Sequence, residues 1–260
     1  MIAEEQTELA EKSITRRLPL EIFIIGALYA VYTIVRNTTE ASEEVAFRHA
    51  RQIMDIEEAL HIDVERSVHH FFLNHEWVLI AANYFYGSLH FIVTLFALFY
   101  VFFKDSKRYS TVRNTIVSTT LIALVGFVTY PLMPPRLLPE SYGFVDSLAK
   151  FPTFWSFNSE EFATISNQFA AMPSVHIAWS TWVVFALFPY AKNIYVKTLL
   201  CFYPLTTLFV IVVTSNHYVL DAVGGWAALG LGYLVSRIIS SYTTRSAIDK
   251  TASLAEINAN

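Results

Sequence analysis

Pro173-Ser174-Val175-His176 heads an apolar run that continues to Tyr190, and His217-Tyr218-Val219-Leu220-Asp221 heads another that continues to Ile239. A membrane-spanning helix needs roughly 20 mostly apolar residues, so each motif falls where a helix meets a membrane boundary. Working outward from these two runs, others extend from Leu18 to Val35, Trp77 to Phe103, Thr115 to Leu132 and Ile194 to Thr214. The run from Val175 to Tyr190 is short, and only Ser215 and Asn216 separate the last two. The fold class expected is all-α, a polytopic membrane bundle of about six helices of the length a bilayer requires. Composition agrees: 54% hydrophobic, 15% aromatic and a mean hydropathy of +0.42 are too apolar for an ordinary soluble domain. The net charge of −4 gives no global basic field, so nucleic acid is not an expected partner. Cys201 is the single cysteine, which excludes an intrachain disulfide and a cysteine-based zinc site.

The chain divides into an N-terminal tail (1–17), a membrane catalytic domain (18–240) and a polar C-terminal tail (241–260) expected to be disordered. The first apolar run lacks a small-residue cleavage site and reads as a retained span. Within the domain, Ala46, Ala50, Ile53, Ile56 and Leu60 recur at helical spacing among charged residues, so residues 40–75 read as helices lying on the membrane interface, a surface element without a part in the chemistry. Residues 133–172 carry Pro134, Pro135, Pro139 and Pro152 and read as a loop walling the active site. Lys12, Arg16 and Arg17, then Lys104, Lys107, Arg108 and Arg113, then Lys192 and Lys197, then Arg237 and Arg245 all fall on one side of the predicted bundle. The positive-inside tendency places both termini in the cytoplasm and the site on the extracytoplasmic face of an integral membrane protein.

The chemistry is concentrated at that face. His217 and Asp221, at i and i+4, can meet on one helix face, the carboxylate holding one ring nitrogen and leaving the other as a nucleophile. Proline at a helix start and the free N–H groups after it favour an anion. Ser174 adds a hydroxyl, and His176 lies close enough to protonate a leaving oxygen. Pro134-Pro135-Arg136 supplies a guanidinium able to grip phosphate oxygens. Two imidazoles, a carboxylate, a helix N-terminus and an arginine are equipment for phosphoryl transfer, with no metal or other cofactor expected.

With these residues assembled, the chain resembles the phosphatidic acid phosphatase type 2 superfamily, over roughly residues 129–225. The resemblance implies that His217 is the nucleophile, Asp221 its orienter, His176 the general acid, and Arg136 with Ser174 the phosphate binders. The family's pattern places a lysine where Thr129 stands, a proline at Leu137, a glycine at Val175 and an arginine at Ile211. Two cations of the usual phosphate shell are therefore missing, which favours a diester monoanion over a monoester dianion. The strings Pro134 to Arg136, Pro173 to His176, Asn216 to Asp221 and Asn83 to His90 are similar to the branch that includes inositol phosphorylceramide synthases. That branch implies transfer of a phospho-headgroup, such as phosphoinositol, from a phospholipid to a lipid hydroxyl, with Asn216 and His90 as further substrate-binding candidates.

Four other readings compete, one of them a non-catalytic relative serving as a partner subunit or carrier, which would tolerate losing His217. A polyprenyl or phosphatidate-type phosphatase would use the same residues with water as acceptor. A haem or redox protein would pair His90 with His176 or His217 as axial ligands. A metal site could involve Glu65, His69, His70 and His75, although adjacent positions 69 and 70 point apart on a helix.

Overall fold

The computed structural model describes residues 18–35, 42–151 and 168–259, with side chains through Tyr242 in the last helix. Lys12, Arg16 and Arg17, which entered the orientation argument, and residues 152–167 of the expected loop lie outside the described residues. Helices run Leu18–Val35 (α1), then Glu43–Leu60 (α2), Glu65–Phe72 (α3), Glu76–Tyr84 (α4), His90–Lys104 (α5), Ser106–Thr129 (α6), the single turn Ser147–Lys150 (α7), Val175–Leu187 (α8), Ile194–Val213 (α9) and Val219–Ala259 (α10). A π-turn, Phe85–Leu89, joins α4 to α5 without a break. Among the described residues there is no strand beyond an isolated bridge between Leu132 and Ala170.

Five segments are long and apolar enough to cross a membrane: Leu18–Val35, Glu76–Lys104, Ser106–Thr129, Ile194–Val213 and Val219–Tyr242. The sixth expected span, Val175–Tyr190, is apolar but shorter. At ~1.5 Å per residue it reaches roughly 24 Å, less than the ~30 Å of a hydrocarbon layer, so at least one of its ends stops short of a membrane boundary. Large apolar side chains such as Ile92, Phe96, Leu199 and Leu234 face outward along the spans, as lipid contact requires.

Local chemistry sets the helix ends. Asp105 caps α6 by accepting the Arg108 N–H at 3.1 Å, and Asn193 caps α9 by accepting that of Tyr195 at 2.8 Å. Arg108 donates to the carbonyls of Phe185 and Ala186 at the end of α8, placing a cation on the negative end of that helix. Arg113 pairs with Glu21 of α1, which also accepts the Tyr109 hydroxyl at 3.0 Å. The basic residues of that loop therefore fasten the bundle at the end remote from His176.

α6 and α10 pack along much of their length, and α8 crosses both. Small residues permit that crossing. A Cβ on Gly225 would lie 2.4 Å from the Ser174 carbonyl oxygen, and one on Gly126 would lie 2.4 Å from Pro173 Cδ, so the start of α8 is seated directly on two glycines. Trp182, fully buried, donates its indole N–H to Val112 O at 2.9 Å and anchors the other end.

Two expectations are corrected. The interfacial helices are not a bland surface element: Ala46, Ala50, Ile53 and Glu57 of α2 form a buried stripe packed on Leu132, Met133, Leu138 and Tyr218. The apolar face had a protein partner, the loop after α6, and covers it. The polar tail after Ser240 is also not irregular, because the helical backbone of α10 continues to Ala259; residues 241–259 contain neither glycine nor proline.

Gly225→Ala should destabilise the protein by about 1–3 kcal/mol through overpacking, whereas Gly230→Ala, with open space around its Cβ, should be neutral or stabilising by up to about 1 kcal/mol. Thermal unfolding of both variants in detergent checks the order.

Candidate active site

His217 sits in the tight reversal between α9 and α10. The Asn216 and His217 N–H groups both reach back to Ile211 O, at 3.0 and 3.2 Å, and Asn216 Nδ2 donates to Thr214 Oγ1 at 2.7 Å. Ser215 takes a φ of +56° to complete the turn, a conformation that costs a non-glycine residue and persists where neighbours over-determine it. His217 precedes α10 by two residues, so its partner Asp221 lies in the first helical turn rather than one turn along a continuous helix. Asp221 Oδ2 is 3.1 Å from His217 Nδ1 and also accepts the Tyr218 N–H at 3.0 Å. A carboxylate there fixes the proton on Nδ1 and leaves the Nε2 lone pair for chemistry.

The second motif arrives at the same place. Ser174 N–H donates to Asp221 O at 3.0 Å, and Ser174 Oγ caps α8 by accepting the Ile177 N–H at 3.5 Å. In this structure the serine hydroxyl is first a helix cap, and the residue is fully buried. His176, in the first turn of α8, has its ring centroid 5.8 Å from that of His217. The two imidazoles thus share one end of the bundle. Tyr86, from the π-turn, stacks on His176 at 3.9 Å.

Arg136 enters from the loop after α6. Its backbone N–H donates to Ser215 O at 2.9 Å, bringing the loop onto the His217 turn. Its Nη1 pairs with Asp146 Oδ2 at 2.7 Å, while its buried Nε has no partner among the described residues. Ser147, next in that loop, donates its hydroxyl to Thr214 O at 3.1 Å, and Asn83 Nδ2 donates to Ser147 O at 2.9 Å. The positions that could have carried more cations do not: Thr129 donates its hydroxyl to Val125 O within its own helix, and Ile211 is fully buried.

A cavity of about 520 Å³ opens beside the histidines. His176, His217, Tyr86, His90 and Trp179 form its polar end, and apolar residues of α1, α5 and α6 form the rest. His90 is buried, 4.8 Å from His176 ring to ring at a 41° tilt, which leaves no space for a macrocycle between two axial imidazoles. The His69 cluster is also committed elsewhere: His69 Nδ1–H donates to Val213 O at 2.8 Å and Nε2 accepts the Val145 N–H at 3.2 Å. Burial pushes that imidazole's pKa down, favouring the neutral ring, and neither nitrogen remains for a metal.

Sequence reading gives two carboxyl groups no part in this site: it passes over Glu57 and weighs Glu65 only as a metal ligand. Glu65 Oε1 accepts the Val219 N–H and Glu57 Oε1 accepts the Leu220 N–H, both at 2.7 Å, so a buried pair from α3 and α2 caps the helix that carries Asp221. Burial raises the pKa of both; for Glu57, proximity to Glu65 adds to the rise. The signal was legible in part, since Glu57 continues the spacing of Ala46, Ala50 and Ile53. Glu65 gave none.

Residues 51–235, well over half of the chain, match the family model of the PAP2 superfamily. The chain belongs to that superfamily, which places it among membrane lipid enzymes of the phosphatase or phosphotransferase type. No curated protein and no solved structure matches it.

Because the folded carboxyl pair holds its proton above the ordinary carboxyl value of 4.5, the native state binds more protons than the unfolded chain over the interval above that value, and stability falls as pH rises through it. The unfolding midpoint in detergent should therefore drop between about pH 5 and pH 9. Glu57→Gln, which keeps an acceptor for Leu220 N–H without the charge, should flatten that slope.

Proposed function

We propose that this member of the PAP2 superfamily transfers a phospho-headgroup from a phospholipid through a phosphohistidine at His217, with a lipid hydroxyl as the acceptor. The observation that carries the proposal is the pairing of the Asp221-held His217 with the His176 ring 5.8 Å away at the polar end of an apolar cavity. In the first step Nε2 of His217 attacks phosphorus, the bond from phosphorus to the leaving oxygen breaks, and that oxygen takes the proton of His176. In the second, the acceptor hydroxyl gives its proton back to His176 as its oxygen attacks, and the P–N bond breaks. Asp221 stabilises the imidazolium character that grows on His217 in each step. Arg136 Nε binds the phosphate oxygens, and the positive end of the α8 dipole lies beside them.

A headgroup diester, such as phosphoinositol, suits the single arginine better than a monoester dianion does, and this favours the branch similar to inositol phosphorylceramide synthases. Asn216 acts through the turn it braces, as its bond to Thr214 suggests. The basic residues at the remote end of the bundle support cytoplasmic termini and an extracytoplasmic site. Water in place of the lipid hydroxyl would make the same machinery a phosphatase.

His217→Ala should abolish both turnover and acid-labile, base-stable labelling of the protein by a phospholipid carrying radioactive phosphate. His176→Ala should slow turnover by about 10²–10⁴ while still accumulating label. Chromatography of the products distinguishes label on a new lipid from free phosphate.

A further inference from the structure

His90 is assigned no step in the chemistry above, yet it stands in the cavity wall next to His176. It is 1% exposed. Its Nδ1 lies 3.2 Å from the Tyr203 hydroxyl of α9, and its Nε2 is buried with no hydrogen-bond partner among the described residues. Trp179 stacks on the ring at 5.9 Å and a 14° tilt, so the ring is held in one plane. Assigned as the donor to Nδ1, the Tyr203 hydroxyl puts the ring proton on Nε2 as a donor without an acceptor. A buried polar group left this way is costly and calls for a partner that the chain itself does not supply.

The backbone supports a role for this position. The His90 N–H bonds to Phe85 O, five residues back, closing the π-turn that also presents Tyr86 to His176. Such insertions are retained in helices mainly where they aim side chains at a site. His90 lies 4.8 Å from the ring of His176 and 5.9 Å from that of Trp179, which follows His176 by three residues on α8, so it stands beside the general acid and toward the next turn of that helix. The remaining wall is mostly apolar, with Thr94, Thr120 and, from α1, Tyr29 and Tyr32 bearing its hydroxyls, and both threonine hydroxyls donate to their own helices.

We infer that His90 is a specificity-determining residue whose Nε2–H reads a hydrogen-bond acceptor on the lipid a few bonds beyond the phosphoester oxygen. The substrate class this selects has an ester carbonyl, amide carbonyl or hydroxyl at that place, as a glycerolipid or sphingoid lipid does, in preference to an isoprenoid phosphate whose chain is pure hydrocarbon. The inference rests on the lipid phosphotransfer reading and sharpens it, since the leaving oxygen at His176 fixes where the first carbons of the lipid enter the cavity.

The test uses the full-length protein in detergent with three phosphodiester probes that share one headgroup: a diacylglycerol phospholipid, a ceramide phospholipid and a phytanyl phosphate bearing that same headgroup. Wild type should favour one or both of the first two over the third in kcat/KM. His90→Asn, whose amide overlies Nδ1 and keeps the Tyr203 bond while removing the Nε2 donor, should reduce that ratio about tenfold. His90→Gln, which restores a donor near Nε2, should recover much of it. The first two probes differ in carbonyl chemistry, and whichever loses more in His90→Asn identifies the linkage that is read. An unchanged ratio in His90→Asn, or a wild type that prefers the phytanyl probe, overturns the inference. Failure of all turnover in wild type would count against phosphotransfer, and there the thermal shift produced by each lipid decides the point: a preference for the acylated probes that His90→Asn erases supports the role of His90, and equal shifts overturn it.

Discussion

The Ser174 N–H to Asp221 carbonyl bond, 3.0 Å long, ties the start of α8 to the first turn of α10, and the rest of the site is arranged around it. Two motifs more than forty positions apart in sequence meet through backbone atoms, so the side chains at 176 and 217 inherit their separation from a contact that neither of them makes. The contact is possible only because Gly225 and Gly126 let Pro173 and Ser174 lie against the neighbouring helices. In a bundle whose helices gain little from the hydrophobic effect in lipid, close backbone approach and internal hydrogen bonding carry the association, which explains why the site forms at this crossing.

Around that bond the polar groups are stacked in layers. Asp221 Oδ2 accepts from His217 and from the Tyr218 N–H, while its Oδ1 is buried with no partner among the described residues, and the outward N–H groups of Val219 and Leu220 are taken by Glu65 and Glu57. The carboxyl pair thus fixes the helix start from one side as Ser174 does from the other. Arg136 N–H and Ser147 Oγ pin the loop to Ser215 and Thr214. This makes α2, α3 and the loop part of the site's frame, though none of the three is among the described segments long and apolar enough to cross a membrane.

Periodicity and spacing made much of this legible. Apolar runs gave the spans, the i, i+4 interval gave the His217 and Asp221 pair, and proline at the head of α8 gave its start. The interfacial helices were misjudged because an amphipathic face looks the same whether lipid or protein covers it; only Leu132, Met133 and Tyr218 in three dimensions identify the partner. The π-turn at Phe85–Leu89 has no sequence period of its own, so the alignment of Tyr86 and His90 with His176 could not be read from a string that fits an ordinary helix.

The sequence by itself determined that this chain is a helical membrane protein, that its candidate site residues head two apolar runs, and that they fit phosphoryl chemistry, because hydrophobic length and residue spacing are local properties. Tertiary structure alone decided that the two imidazoles lie 5.8 Å apart, that a buried carboxyl pair caps α10, and that His90 walls the same cavity. Those outcomes depend on how closely helices approach and which backbone groups find each other, and such contacts are set by packing between segments distant in the chain.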